Sequence, residues 1–252
     1  YTTLFRSTQY PLVLPENWGN IVKNVTTIWT SDNIQYPSSL MSSVIITAIS
    51  LLALSLLSSQ AAWALVRTKT KTSSAIFFVF VAAMVIPFQI VMFPLLSWLR
   101  TITGITGIRL LRTYGGMILC YIGFGVSLSI FMYHGFIKSI PVELEEAATI
   151  DGCSRAQIFY KIIFPILTPI HATVLVLNGI WIWNDFLLPL LVLGKGNAIQ
   201  TIPLAVSNFA GAFVKQWDLI LTAILLAMIP VVICFLLAQK YIVKGMVAGS
   251  IK

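Results

Sequence analysis

The residues whose types and spacing could do chemistry begin with Glu143, Glu145, Glu146 and Asp151, half of the chain's eight acids, gathered within nine positions. Leu144, Ala147, Ala148 and Ile150 fall between them at helical spacing, so residues 141–151 are expected to form a short helix with one face for a partner. Gly152 follows, where a positive φ is cheap and can end that helix before a second one over 154–160. Other chemistry finds little material. His134 and His171 have no cysteine or carboxylate at ligand spacing, and Cys120, Cys153 and Cys234 are odd in number and far apart. No metal site, disulfide framework or Ser/His/Asp set is expected, and no catalytic residue is assigned. Gly194-Lys195-Gly196-Asn197 has the wrong spacing for a phosphate-cradling loop, so the chain is expected to bind no nucleotide and hydrolyse no ATP itself.

The elements that must position the acidic cluster are built for lipid. Hydrophobic residues make up 58% and charged residues 10% of 252 positions, with a mean hydropathy of +0.92. Soluble domains carry about a quarter charged residues. An all-α, polytopic membrane bundle is expected. The net charge of +8 does not point to nucleic acid, because the Lys and Arg residues sit in short clusters beside apolar blocks.

Five such blocks, at 40–66, 75–96, 114–137, 162–188 and 219–243, each approach or exceed the roughly 20 residues of a spanning helix. The basic hairpin of Arg67, Lys69 and Lys71 is expected in the cytoplasm. Alternation then puts residues 1–38 outside as an extracytoplasmic loop region, 138–161 inside, and the tail 244–252 inside. Arg100, Arg109 and Arg112 fall in a short outside loop, against the charge rule. Because five spans with an outside start are an odd set and the chain opens at Tyr1, a sixth span upstream is expected. The domains are the loop region 1–38, a transmembrane domain 39–243 that includes the loop 138–161, and the tail 244–252.

A second polar set lies inside the fourth block. His171, Asn178 and Asp185 recur every seven residues, a drift of only about 20° per step on a helix. Trp181 lies near that face. Ionisable groups inside a span usually face a bundle interior or a wet pathway. The set therefore either lines a polar pathway through the bundle, with Trp181 or Trp183 available for ring stacking, or bonds neighbouring helices only. Gln89 in the second block carries the same two readings.

The acidic stretch closely resembles the EAA loop of the inner-membrane permeases of binding-protein-dependent ABC importers: Glu146-Ala147-Ala148, three residues, Gly152, nine residues, then Ile162, Phe164 and Pro165. Phe164 stands where that family commonly has Leu. Residues 141–145 and Asp151-Gly152 look like the maltose and multiple-sugar branch. Trp183-Asn184-Asp185-Phe186 is similar to that branch's Trp-Asn-Glu-Phe signature, with Asp for Glu. The closing stretch from Gln239, with Gly245 and Gly249, looks like the tail of the second permease of such a pair.

The resemblance implies a multi-pass protein of the bacterial inner membrane that imports a sugar or oligosaccharide. It further implies a second permease, two cytoplasmic ATPases that hold ATP and Mg, and an extracellular solute-binding protein. Glu143, Glu145, Glu146, Ala147, Ala148, Asp151, Gly152 and Pro165 would belong to a coupling helix and its exit, seated in a cleft of the ATPase, with Ala147 and Ala148 in the contact face and Glu145 and Glu146 pairing a basic surface. Gly245 and Gly249 would touch the ATPases. An importer of glycerol phosphate or a polyamine is the alternative within transporters, although no cationic pathway for a phosphate is evident. From other classes, an intramembrane enzyme would need the clustered residues that are missing, and a purely structural subunit leaves the EAA pattern unexplained.

Overall fold

The computed structural model describes residues 19–31, 35–209 and 217–250, with side chains in the last stretch described for 218–233 and 236. Twelve α-helices carry these residues: α1 Gly19–Thr30, α2 Tyr36–Arg67, α3 Lys71–Ala83, α4 Phe88–Thr106, α5 Tyr114–Ile137, α6 Glu143–Ile150, α7 Arg155–Ile158, α8 Phe164–Ile166, α9 Thr168–Asn184, α10 Leu187–Val192, α11 Ile202–Val206 and α12 Trp217–Ser250. A π-helical turn, Phe159–Ile163, joins α7 to α8.

The first and third apolar blocks each become one helix, α2 and α5. They pack along one another, and the reason lies in small residues. Ser39, Ser42, Ser43, Ser50, Ser55, Ser58, Ser59 and Ala62 are buried along α2, as are Gly116, Gly125, Ser127 and Ser129 along α5, and Ser42 and Ser55 bond Tyr114 and Tyr133 of α5. Apolar side chains gain little by leaving lipid for one another, so helices there associate through close backbone approach and interhelical hydrogen bonds. Gly125 marks a close approach between helices. A Cβ there would lie 2.7 Å from Leu54 Cδ1 and 2.8 Å from Asn178 Oδ1.

The second block departs from expectation. It is two helices broken across 84–87, not one span over 75–96. Pro87 brings no N–H and disfavours helical backbone at Ile86, and it adopts ψ 136 as the N-cap of α4. From that restart α4 runs to Thr106, which places Arg100 on a helix instead of in a loop. Among the described residues, α2, α4 and α5 are long and apolar enough to cross a bilayer.

A fourth crossing is available if the bent pair of α7–α8 and α9, which meet at 74°, counts as one span. The bend has a local cause. Pro169 cannot donate to the Pro165 carbonyl, and the Thr168 hydroxyl does so instead at 2.6 Å, re-satisfying a group that lipid would leave bare. The fifth block is α12, which runs unbroken through the tail positions 244–250. Gly245 and Gly249 lie in its last turns, and nothing about their contacts falls within the described side chains.

Candidate functional site

Three acids in its first turn, Glu143, Glu145 and Glu146, favour α6 by facing the positive end of its dipole. Its exit follows the Schellman pattern: Cys153 N–H donates to the Ala148 carbonyl at 2.9 Å and Gly152 N–H to that of Thr149 at 3.0 Å. Gly152 sits at φ 83 to close it. Immediately afterwards Ser154 and Gln157 form a reciprocal capping box that starts α7. The expected helix, turn and helix are all present, with α6 beginning two residues later than 141.

The two faces of α6 are unlike. Glu145 points into the bundle, where its Oε1 accepts from Arg67 Nε at 2.7 Å and its Oε2 from Trp63 Nε1 at 3.1 Å. Arg67 Nη2 also donates to the Ile140 carbonyl at 3.1 Å, so one guanidinium ties α2 to both the entry and the body of α6. One turn on, Ala148 is buried among Ala62, Ile130, Tyr133, Ile137, Ile158 and Phe159. The contact-face assignment of Glu145 and Ala148 is thereby corrected: both are spent on holding the helix to its own chain. Glu143, Leu144, Glu146, Ala147 and Ile150 form the exposed face, with Ile150 at 86% and Leu144 at 45% exposure. Two aliphatic side chains, a small residue and two carboxylates thus stand free for a partner.

The polar set of α9 is consumed by the bundle. His171 Nε2–H donates to the Phe164 carbonyl at 3.1 Å, a group with no donor capacity. In the neutral imidazole Nδ1 then accepts, from Tyr133 OH at 2.6 Å and Ser55 Oγ at 3.1 Å. Asn178 is buried and donates to Ser129 Oγ at 3.1 Å and to the Val174 carbonyl at 2.9 Å. Asp185 accepts from Tyr121 OH at 3.3 Å and from the N–H groups of Leu187 and Leu188, which caps α10 and turns the chain out of α9. Of the two sequence readings, the contacts within this chain are those of the interhelical one.

The other candidates separate. Trp183 Nε1 donates to the Ala227 carbonyl at 3.1 Å, tying α9 to α12. With Asn184 it lines an apolar groove of about 560 Å³ beside α11 and α12. Trp181 is exposed, its ring edge-on to Tyr121 at 5.4 Å. Gln89 is exposed at the start of α4.

Sequence reasoning missed Trp63 and the pairing of Arg67, which it read as an inside-facing charge only. It also missed Ser55, Tyr121, Ser129 and Tyr133. A serine stripe at spacings of three and four along α2 was the available signal.

An apolar helical bundle with a short acidic helix between α5 and α7 has the make-up of a multi-pass membrane permease. The chain belongs to the family of binding-protein-dependent transport system inner membrane components, whose model matches residues 60–248. It is 42% identical over 220 residues to the probable starch degradation products transport system permease protein AmyC of Thermoanaerobacterium thermosulfurigenes, covering 87% of this chain and 77% of that one. It is 35% identical over 216 residues to the melibiose/raffinose/stachyose import permease protein MelC of Bacillus subtilis, covering 85% and 76%. A crystal structure of a bacterial ABC transporter involved in the import of alginate, an acidic polysaccharide, shares the fold with a TM-score of 0.71 at 21% identity, covering 86% of this chain and 78% of that one.

Proposed function

We propose that this chain is one permease subunit of an ATP-driven importer of a sugar or oligosaccharide, and that α6 couples it to a cytoplasmic ATPase. The likeness to relatives named as sugar permeases supports the cargo class. The single observation that carries the coupling is the division of α6 into an anchored face, Glu145 and Ala148, and a free face, Glu143, Leu144, Glu146, Ala147 and Ile150. A lever needs both.

In this reading a second permease completes the pathway, a solute-binding protein delivers cargo outside, and two ATPase subunits hold ATP and Mg. The hairpin of Lys69 and Lys71 and α6 face the cytoplasm. When the ATPases close, α6 moves with them, and the Arg67–Glu145 pair and the Ala148 contact pass that displacement to α2 and, through its packing and the Ser42–Tyr114 and Ser55–Tyr133 bonds, to α5. A ligand-driven switch requires contacts that differ between two states, and here those contacts lie on the partner side of α6.

Reconstitution tests the reading. The chain is co-expressed with its neighbouring subunits, placed in liposomes with the binding protein, and supplied with internal ATP and labelled maltooligosaccharide or raffinose. ATP-dependent accumulation that disappears with Ile150→Glu is the expected result. Accumulation without any ATPase subunit would overturn it.

A further inference from the structure

The arginines that break the charge rule converge on one cavity. Arg100, Thr103, Arg109, Leu110, Leu111, Arg112 and Thr113 enclose about 360 Å³ between the end of α4 and the start of α5. Among the described residues, none of the three guanidiniums has an ion-pair partner, since the six described carboxylates lie on α6, beyond it at Asp151, at the end of α9 and at the start of α12. Arg112 is held there at some cost. Its φ is 61, unfavourable by roughly 1–2 kcal/mol for a residue with a Cβ. Two bonds keep it so: its N–H donates to the Val192 carbonyl at 2.9 Å, and its own carbonyl accepts from Asn197 Nδ2 at 3.5 Å. Thr113 in the same wall caps α5, adding the positive end of a long helix dipole.

Three exposed guanidiniums without a carboxylate partner among the described residues make the concavity positive and favour an anion there. The surroundings say which kind. Trp98 at 53% exposure, Ile105 at 79% and Ile108 at 63% belong to the same α4–α5 segment but do not line the cavity, and exposed aliphatics with a Trp near arginines are the composition of a membrane–water interface. The cavity and α6 lie beyond opposite ends of α5, whose 24 residues measure about 36 Å, close to a bilayer's thickness. The phosphate layer of a leaflet lies at that level, at the end of a span, so a lipid headgroup is the anion held closest to the three arginines.

We propose that Arg100, Arg109 and Arg112 form a binding site for the phosphate diester of an anionic phospholipid, in the leaflet opposite α6. Bound lipid satisfies the arginines that the charge rule would have excluded from this side, and pins the α4–α5 connection to the membrane surface. The site depends on the chain spanning a membrane and not on which solute it carries.

Photo-crosslinking tests this. The full chain, purified with its associated subunits, is placed in phosphatidylcholine nanodiscs doped with photoactivatable phosphatidylglycerol or phosphatidylcholine, and adducts on residues 98–113 are quantified by mass spectrometry. At least about fivefold more phosphatidylglycerol adduct is expected, falling to parity in the triple variant R100Q/R109Q/R112Q. R100Q alone, on an exposed helical position, should lower the adduct by about half and keeps the result readable if the triple variant does not fold. Unchanged labelling in R100Q and in a folded triple variant overturns the site. So does loss of labelling on adding inorganic phosphate, which would assign a free anion, or loss of binding-protein attachment in R100Q with lipid labelling intact, which would assign a protein surface.

Discussion

Arg67 closes α2 and Glu145 lies in the first turns of α6, yet the Nε of one meets the Oε1 of the other at 2.7 Å, with Trp63 Nε1 on the second carboxylate oxygen. The side chains are 21% and 11% exposed, so the pair is screened less than a surface bridge. Removing one partner strands the other, which for fully buried pairs costs about 3–5 kcal/mol and here, with partial solvent access, about 1–3 kcal/mol.

Arg67→Ala should therefore lower the thermal midpoint of the purified subunit and reduce transport more than it reduces ATP hydrolysis by the assembled complex. Differential scanning fluorimetry with paired ATPase and uptake assays checks both. The exchange R67E/E145R should recover part of the loss if the pair itself is what matters. Equal losses of ATPase and uptake would instead mean that assembly has failed.

The two faces of α6 should respond oppositely. Ile150→Glu and Leu144→Asp alter exposed positions and should change stability by no more than about 0.5 kcal/mol, while at least tenfold less ATPase subunit is retained in an affinity pull-down. Ala148→Leu overfills a buried site and should destabilise the chain by about 1–3 kcal/mol, visible as reduced folded yield before any binding is measured.

At Gly152 the constraint is conformational, since a Cβ would find nothing within 4 Å while φ stands at 83. Gly152→Val should cost about 1–2 kcal/mol and misalign α6 against α7. Gly152→Asn, a residue that visits this region readily, should retain most transport. Activity of the two variants side by side decides between backbone strain and crowding, because crowding would penalise both.

Asn178 offers a discrimination between packing and cargo contact. Asn178→Leu removes the bond to Ser129 and places apolar bulk beside Gly125. It should destabilise by about 1–3 kcal/mol while the KM for cargo in the surviving complex stays within about twofold of the parent. Gly125→Ala, which contacts no cargo in any reading, should reproduce the stability loss through its clash with Leu54 and Asn178. A KM raised tenfold by N178L alone would restore the pathway reading.

Much was legible in the one-dimensional pattern. Long apolar blocks specify membrane helices because lipid cannot hydrogen-bond a bare backbone. The acidic cluster and Gly152 specify a helix, a turn and a helix through local dipole, capping and φ preferences that need only neighbours in sequence. Those inferences were local, and the secondary structure of residues 141–160 follows them closely.

What the pattern could not contain was which face of a helix meets which neighbour. Pro87 splitting the second block was visible as a residue but not as a break, since membrane helices tolerate proline where neighbours re-satisfy the carbonyl, as α4 itself does at Pro94. Glu145 and Glu146 are adjacent and chemically alike, yet helical geometry turns them about 100° apart, and only the position of Arg67 and Trp63 decides that the first is anchor and the second is free. The seven-residue spacing of His171, Asn178 and Asp185 places them on one side of α9, as read from sequence. That this side meets Tyr133, Ser129 and Tyr121 was decided by the close approach of α5 at Gly125, a contact between positions far apart in the chain that no periodicity encodes.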